Sequence, residues 1–151
     1  PPFRGGYGAG VPLHSAAYPK VSVCMPTYNR ANSLKQCLDS LMALSYPNLE
    51  IIVCDNNSTD DTKDVISCYP NVRYICERTQ GLSYAKNTLL DACSSDSDFV
   101  VFVDDDETVQ TNWIESLLSG FSDETVAVVG GPYRNVYEHD VPDWIPDSIY
   151  P

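Results

Sequence analysis

Five apolar residues run directly into four consecutive acids at residues 99–107, FVVFVDDDE. An unbroken Val/Phe run predicts a strand buried on both faces, as in a parallel sheet, and such sheets bind ligands beyond the carboxyl ends of their strands. Adjacent carboxylates repel one another unless they are solvated or share a cation, and oxygen ligands suit Mg2+ or Mn2+. Because alternate side chains of a strand share a face, Asp104 and Asp106 are predicted to reach one metal ion if the extended conformation continues that far. A solvated acidic loop is the alternative.

The composition is that of one ordinary globular domain. The chain has 151 residues, of which 43% are hydrophobic and 20% are charged, and this length is sufficient to bury a core. The net charge of 9 − 21 = −12 argues against nucleic acid or an anionic membrane as the main partner, since both require clustered Lys and Arg. No apolar stretch approaches the roughly 20 residues of a transmembrane helix, and no signal-peptide pattern opens the chain.

The cysteines are even in number but lack the CxxC spacing that would indicate a zinc or redox motif. We expect buried free thiols in a reducing cytoplasm rather than disulfides. The six residues are Cys24, Cys37, Cys54, Cys68, Cys76 and Cys93.

Apolar periodicity and turn residues predict that strands and helices alternate along the chain. The predicted strands are 21–26, 49–55, 72–78, 99–103 and 126–132, and Pro26 is predicted to end the first. The predicted helices are 33–44, 62–69, 81–92 and 111–121. Asn32 or Ser33 is predicted to cap the first helix, and Trp113, Leu117 and Phe121 form one stripe on the last. This order predicts an α/β fold, a three-layer α/β/α sandwich with a mostly parallel, Rossmann-like central sheet.

Three regions follow from this pattern. Residues 1–19 are rich in Pro and Gly and predict a flexible arm or linker, residues 20–132 form the ordered domain, and residues 133–151 are an irregular segment. Since the sequence does not begin with Met, we expect it to be a piece of a longer polypeptide.

Polar segments follow three of the predicted strands: Thr27–Arg30, Asp55–Ser58 and Asp104–Asp106. The carboxyl ends of parallel strands meet at one sheet edge, so these segments are predicted to converge. There Tyr28 can pack on a base, Asp55 and Asn56 can accept hydrogen bonds from ring N–H groups, and a metal ion can neutralise a diphosphate. Because the sequence contains neither GxxxxGK(S/T) nor GxGxxG, this would be a nucleotide-diphosphate pocket without those phosphate-binding loops.

Four motifs, VSVCMPTYNR, EIIVCDNNSTDDT, QGLSYAKN and FVVFVDDDE, together resemble the nucleotide-sugar-binding half of family 2 inverting glycosyltransferases with the GT-A fold. The resemblance covers about Lys20 to Pro132 and implies transfer of a sugar from a nucleotide-diphosphate sugar to an unknown acceptor, which could be a glycan, a lipid or a protein. It implies inversion at the anomeric carbon and help from a divalent metal, Mn2+ or Mg2+. The chain would then be the donor-binding part, leading into an acceptor-binding half.

The converging loops and the resemblance together define the candidate residues. The nucleotide-sugar site is predicted to contain Pro26, Tyr28, Arg30, Asp55, Asn56, Ser58, Gly81, Ser83, Lys86, Asn87, Asp104 and Asp105, and the predicted metal ligands are Asp104 and Asp106. Simpler roles are surface packing for Tyr28, a helix N-cap for Asp55 and an exposed helix position for Lys86.

Two residues depart from the family pattern. Asn56 stands where many members have a second acid, which leaves the identity of the base open. Lys86 stands where Arg is common, and Lys keeps the charge but loses the bidentate fork. The catalytic base of the family lies further downstream, and the only late candidates, Glu138, His139 and Asp140, are more simply explained as a polar loop.

Two other classes remain open from the sequence. A non-catalytic nucleotide-sugar or metal-binding module would share the donor site without turnover. A phospho-acceptor signalling domain also places acids at the carboxyl edge of a parallel sheet, but it needs paired acids after the first strand, where this chain has Met25-Pro26. We expect a cytoplasmic location, and membrane association of a longer parent chain is left open.

Overall fold

The computed structural model of the chain describes residues 18–123, 125–134 and 136. The predicted arm and the predicted irregular tail therefore lie almost entirely outside the described residues. The same holds for Glu138, His139 and Asp140.

Four strands and four helices alternate in the described part of the chain. They are β1 (Val21–Thr27), α1 (Ala31–Met42), β2 (Leu49–Asp55), α2 (Thr62–Ser67), β3 (Val72–Cys76), α3 (Leu82–Ala92), β4 (Phe99–Phe102) and α4 (Trp113–Ser119). The strands form one sheet in the order β3-β2-β1-β4, and every neighbouring pair is parallel. This confirms the predicted α/β architecture.

Alternate residues of the two central strands are buried against helices on opposite faces of the sheet. The larger core contains Val23, Met25 and Val53 of the strands together with residues of α1, α2 and α4, among them Leu38, Ile66 and Ile114. The smaller core contains Cys24, Ile52 and Cys54 packed against Ala85 and Leu89 of α3. A sheet with helices on both faces is the predicted three-layer sandwich.

Strand β4 is less buried than its apolar sequence predicts. It ends at Phe102, and within the described residues it lies at the edge of the sheet beside β1. Phe102 is 38% exposed. Because β4 has a neighbouring strand on one edge only among these residues, its side chains lack cross-strand neighbours on the other side and are less buried. The prediction of a strand buried on both faces is therefore wrong for β4.

The predicted strand at 126–132 is not formed in the described residues. Its Val128 side chain is exposed, no described strand pairs with it, and Gly130 and Gly131 weaken strand structure. In α4 the buried side chains are Ile114 and Leu118 rather than the predicted stripe of Trp113, Leu117 and Phe121.

Two local predictions about β1 and α1 are also wrong. Pro26 does not end β1 but lies within it, opposite Cys54. Helix α1 begins at Ala31, whose N–H donates to the Asp60 carboxylate at 3.1 Å, so this long-range acceptor replaces the predicted N-cap at Asn32 or Ser33.

All six cysteines are free thiols, as predicted. Cys68 and Cys76 are nevertheless exposed, so the expectation of burial is wrong for these two. None of the helices in the described part of the chain has the length and apolarity needed to cross a membrane.

Candidate functional site

The loops after β1 and β4 are joined by a buried hydrogen bond. The Thr27 hydroxyl donates to the Asp105 carboxylate at 2.7 Å. Asp105 is only 8% exposed. Burial raises the pKa of Asp105, as do the neighbouring carboxylates of Asp104 and Asp106, against the opposing effects of the Thr27 hydrogen bond and the Arg30 charge.

The acidic residues 104–106 form a turn rather than a continuation of β4, so the extended conformation does not reach them. Asp105 points into the protein, while Asp104 and Asp106 on either side of it are exposed. The Arg30 guanidinium lies 2.6 Å from Asp106 and 4.0 Å from Asp105. The turn therefore presents two carboxylates to solvent, one of which is paired with Arg30.

The loops after β1 and β2 are tied together around two asparagines in the left-handed conformation. Asn29 has φ 53° and Asn57 has φ 64°. The Asn29 N–H donates to the Ser58 hydroxyl at 2.9 Å, and the Thr59 N–H donates to the Asn29 side-chain oxygen at 2.7 Å. Tyr28, 46% exposed, is therefore carried on a loop whose backbone is fixed, and such strained conformations occur often at functional sites.

Asp55 is a buried acid at the end of β2. Its carboxylate accepts hydrogen bonds from the Ser58 N–H at 2.8 Å and from the Tyr74 hydroxyl at 3.0 Å, and it is 3% exposed. Burial and this carboxylate raise the pKa of Tyr74. Asp55 thus caps its own turn, whereas the cap position of α2 is Asp61. Its predicted contact with a base stays a prediction, and so does that of Pro26, which is buried within β1.

Both the NH2 group and the oxygen of the Asn56 side chain are hydrogen-bonded within the protein. The NH2 group donates to the carbonyls of Glu77 at 3.0 Å and Thr79 at 2.7 Å, and the oxygen accepts from the Gly81 N–H at 2.7 Å. Asn56 therefore fastens the end of β2 to the loop that leads into α3. An acid could not make the two donations, which gives a structural reason for an amide at this position.

Helix α3 brings its predicted residues to the same edge of the sheet. It starts after Gly81, whose φ of 138° favours glycine. Ser83 and Asn87 are exposed on α3. The Lys86 ammonium lies 5.3 Å from the centre of the Phe102 ring, a cation–π contact with the last residue of β4. Lys86 is therefore more than an exposed helix lysine.

Two residues that organise this edge belong to the polar segment predicted after the first strand, but they were not among the predicted site residues. Thr27 anchors the acidic turn, and Asn29 joins two loops. Thr27 ends β1 opposite Asp55 in the sheet register. Its role could be recognised only once the pairing of the strands was known. Asn29 had a local signal, since Asn is the residue after Gly that most readily adopts the left-handed conformation.

The described residues contain no group of three or more His, Cys, Asp or Glu side chains arranged to hold a metal ion. The exposed pair Asp104 and Asp106 offers hard oxygen ligands. Mg2+ and similar ions are commonly bound by one or two carboxylates together with substrate phosphates. The pair fits a metal that arrives with a diphosphate better than one held by the protein alone.

Together, the parallel sheet, the α3 layer and the acidic turn at the carboxyl edge define a GT-A type of α/β protein. The family model described as "Glycosyl transferase family 2" matches residues 22–149. The chain therefore belongs to glycosyltransferase family 2, and this assignment replaces the alternative of a phospho-acceptor signalling domain.

Individual relatives agree with the family. The chain is 31% identical over 125 residues to "Glycosyltransferase GlyA" of Streptococcus pneumoniae, covering 80% of this chain and 18% of that protein. The mannosyltransferase PcManGT from Pyrobaculum calidifontis, solved in complex with GDP-Man and Mn2+, superposes with TM-score 0.67 and 28% identity over 74% of this chain and 34% of the other. S. aureus TarS 1-349 in complex with UDP-GlcNAc superposes with TM-score 0.59 and 28% identity over 66% of this chain and 30% of the other. The chain spans well under half the length of each.

Proposed function

We propose that the chain binds a nucleotide-diphosphate sugar together with a divalent metal, as the donor-binding part of an inverting glycosyltransferase. The observation that carries this proposal is the acidic turn held against the β1 loop by the Thr27–Asp105 and Arg30–Asp106 contacts. These contacts leave Tyr28, Asp104 and Asp106 exposed at one edge of the sheet. That edge is where open parallel sheets bind ligands.

Each part of the donor has a chemically suitable partner at this edge. The exposed ring of Tyr28 can pack on a base, and Asp104 with Asp106 can hold Mn2+ or Mg2+, which would stabilise the negative charge of the leaving diphosphate. Two side chains supply positive charge: Arg30 is paired with Asp106, and Lys86 lies over the ring of Phe102, two residues before the acidic turn. The complexes of related proteins with GDP-Man and Mn2+ and with UDP-GlcNAc support this choice of ligands.

The proposal assigns donor binding to the described residues and leaves deprotonation of the acceptor to others. The acceptor, whether glycan, lipid or protein, is not specified by these residues. We place the activity in the cytoplasm, which the six free thiols support.

Calorimetric titration with UDP, GDP and dTDP, each with and without Mn2+, tests donor binding. The variant Asp104→Asn/Asp106→Asn should lose the Mn2+-dependent part of the binding. Asp64→Asn/Asp91→Asn, which removes two exposed charges from α2 and α3, should bind like the parent protein. Binding that is unchanged by the first variant would refute the metal site, and absence of binding to all three nucleotides would refute the donor site.

A non-catalytic binding module shares all these features. Turnover by a longer chain that includes the acceptor-binding segment, measured as release of nucleoside diphosphate, distinguishes the enzyme from the module. Binding without turnover in that longer chain would favour the module.

A further inference from the structure

Two thiols meet beneath α3, away from the acidic turn. Cys24 lies in the middle of β1 and is fully buried, and Cys93 directly follows the last residue of α3 and is partly exposed. Their sulfur atoms are 3.5 Å apart. Residue Cys24 faces the smaller core, whereas the proposed donor site lies beyond the carboxyl end of the same strand.

We propose that Cys24 and Cys93 are a reversible modification site, which forms an intramolecular disulfide by exchange with a low-molecular-weight disulfide. A disulfide requires about 2.05 Å between the sulfurs, so they must approach by roughly 1.5 Å. Cys93 can supply this movement because its backbone has left the helix, with φ −56° and ψ 144°. Its sulfur otherwise makes only a weak bond to the Leu89 carbonyl at 3.3 Å.

The exchange proceeds in two balanced steps. The Cys93 thiolate attacks one sulfur of the small disulfide, which forms a mixed disulfide and releases one small thiolate. The Cys24 thiolate then attacks the Cys93 sulfur, which forms the protein disulfide and releases the second small thiolate. The two protein protons pass through solvent to the released thiolates, so one small disulfide is reduced while two protein thiols are oxidised.

Solvent exposure and the pKa of Cys24 determine the order in which the two thiols react. Cys93 is the partner that an external disulfide can reach, since Cys24 is fully buried. Burial, followed by the neighbouring Cys93 thiol and Glu50, raises the pKa of Cys24. Only a small fraction of Cys24 is therefore present as the thiolate, and the rate of ring closure should increase with pH.

The remaining cysteines have different surroundings. Cys68 and Cys76 are exposed, and the buried Cys37 donates weakly to the Asp104 carbonyl at 3.5 Å. Cys68 would react with a small disulfide but would retain it as an adduct. Cys76 lies near the buried Cys54, whose pKa is raised by burial and by the neighbouring Glu77 and Cys76, but no hydrogen bond joins the two sulfurs. The Cys24–Cys93 pair is distinguished by a second thiol already in contact with the first.

The bond would fasten the α3 layer to the central strand of the sheet. Helix α3 carries Ser83, Lys86 and Asn87, and the link would join residues 69 positions apart in sequence. Closing a loop of this length in the unfolded chain should raise Tm by on the order of 10 °C. The redox state of the surroundings would therefore determine how firmly α3 is attached to the sheet.

The test uses the full chain with Cys68→Ser/Cys76→Ser, which removes the exposed thiols. The folded protein is incubated with oxidised glutathione at mildly alkaline pH and analysed by intact mass and non-reducing peptide mapping. We expect a mass loss of two hydrogens, a peptide linking Cys24 to Cys93, a higher Tm, and reversal of all three by dithiothreitol. Adding Cys24→Ser should convert the product into a stable glutathione adduct on Cys93.

Two results would overturn the inference. One is a folded protein in which glutathione stays on Cys93 while Cys24 remains free. The other is a folded protein in which neither thiol reacts at a pH where Cys68 and Cys76 of the parent chain are modified. A variant Cys93→Ala, which leaves Cys24 in place, shows whether any rise in Tm depends on the bond.

Discussion

The Thr27 hydroxyl and the Asp105 carboxylate form a hydrogen bond of 2.7 Å between two buried side chains, one at the end of β1 and the other in the turn after β4. Together with the Arg30–Asp106 ion pair, it holds the loop that carries Tyr28 against the acidic turn. Without it the Asp105 carboxylate would remain buried with only the more distant Arg30 guanidinium, 4.0 Å away, as a polar partner.

Replacing Thr27 by Val should therefore lower the free energy of unfolding by about 1–3 kcal/mol, since a buried acceptor loses its donor while the shape is kept. Urea unfolding measures this change. Thr27→Ser retains the hydroxyl and is the matched control, for which we expect most of the stability to remain. Equal stability of the Val and Ser variants would show that the hydrogen bond contributes nothing.

Asn56→Asp should destabilise the protein although it introduces the acid that the family resemblance leads one to expect at this position. The new carboxylate would face the carbonyls of Glu77 and Thr79, to which the amide now donates. Two lost hydrogen bonds and the repulsion between oxygens should lower the free energy of unfolding by about 2–4 kcal/mol. Asn57→Asp, a neighbouring substitution in an exposed side chain, is the control and should change stability by less than half as much.

The sequence carried enough information for β1, β2 and the position of the acidic turn. β2 was predicted with its observed bounds, because a continuous apolar run in a central strand is a local signal. The polar residues after β1, β2 and β4 were expected to converge, and the contacts of Thr27 with Asp105 and of Asn29 with Ser58 show that they do. The alternation of elements was sufficient to infer a shared sheet edge.

What the sequence did not reveal depends on contacts between distant residues. The hydrogen-bond partners of the Asn56 side chain lie more than 20 positions away in the sequence. Local patterns could therefore not predict its structural role, and the family resemblance indicated only a contact with the base. The exposure of Phe102 depends on which strand lies beside β4, and the capping of Ala31 by Asp60 requires two loops to meet. Local patterns identify elements, whereas these features belong to their assembly.

Gly81→Ala should destabilise the start of α3. Gly81 has φ 138°, a conformation that residues with a Cβ rarely adopt, and an added Cβ would lie 3.2 Å from the Tyr84 ring. We expect a loss of about 1–3 kcal/mol in the free energy of unfolding. Gly131→Ala is the control, since its Cβ would meet the Leu117 side chain at an ordinary 3.9 Å. Thermal unfolding of both variants measures the difference, and equal Tm values would contradict the argument.

Arg30→Gln should affect metal binding more than stability. The Arg30–Asp106 pair is about half exposed on both sides, so its loss should change the free energy of unfolding by less than about 1 kcal/mol. If Asp106 is a metal ligand, removal of the competing guanidinium should tighten binding of Mn2+ alone by about 1.5- to 5-fold. Electron paramagnetic resonance of free Mn2+ measures this affinity. Arg73→Gln removes a charge from β3, away from the acidic turn, and should leave it unchanged; weaker Mn2+ binding by Arg30→Gln would contradict competition.

Glu50 of β2 links β1 to the loop between α3 and β4. Its carboxylate accepts hydrogen bonds from Ser22, Ser97 and both the N–H and the hydroxyl of Ser94. Burial opposes ionisation, but these hydrogen bonds prevail and lower the pKa of Glu50 to about 2. The charged form is therefore favoured in the folded protein relative to the unfolded chain.

The stabilisation from Glu50 should consequently be present above pH 4.5 and be lost as the pH falls from 4.5 towards 2, the range between its ordinary and folded pKa values. We expect the loss to be on the order of 1–2 kcal/mol, because partial solvent exposure screens the carboxylate. Urea unfolding of the parent protein and of Glu50→Gln, in steps across that range, measures it. The variant should be less stable near neutral pH, and the difference should shrink on acidification. Asp91→Asn removes an exposed charge from α3 and should leave the parent's pH dependence intact; a Glu50→Gln variant with that same dependence would show that another carboxylate is responsible.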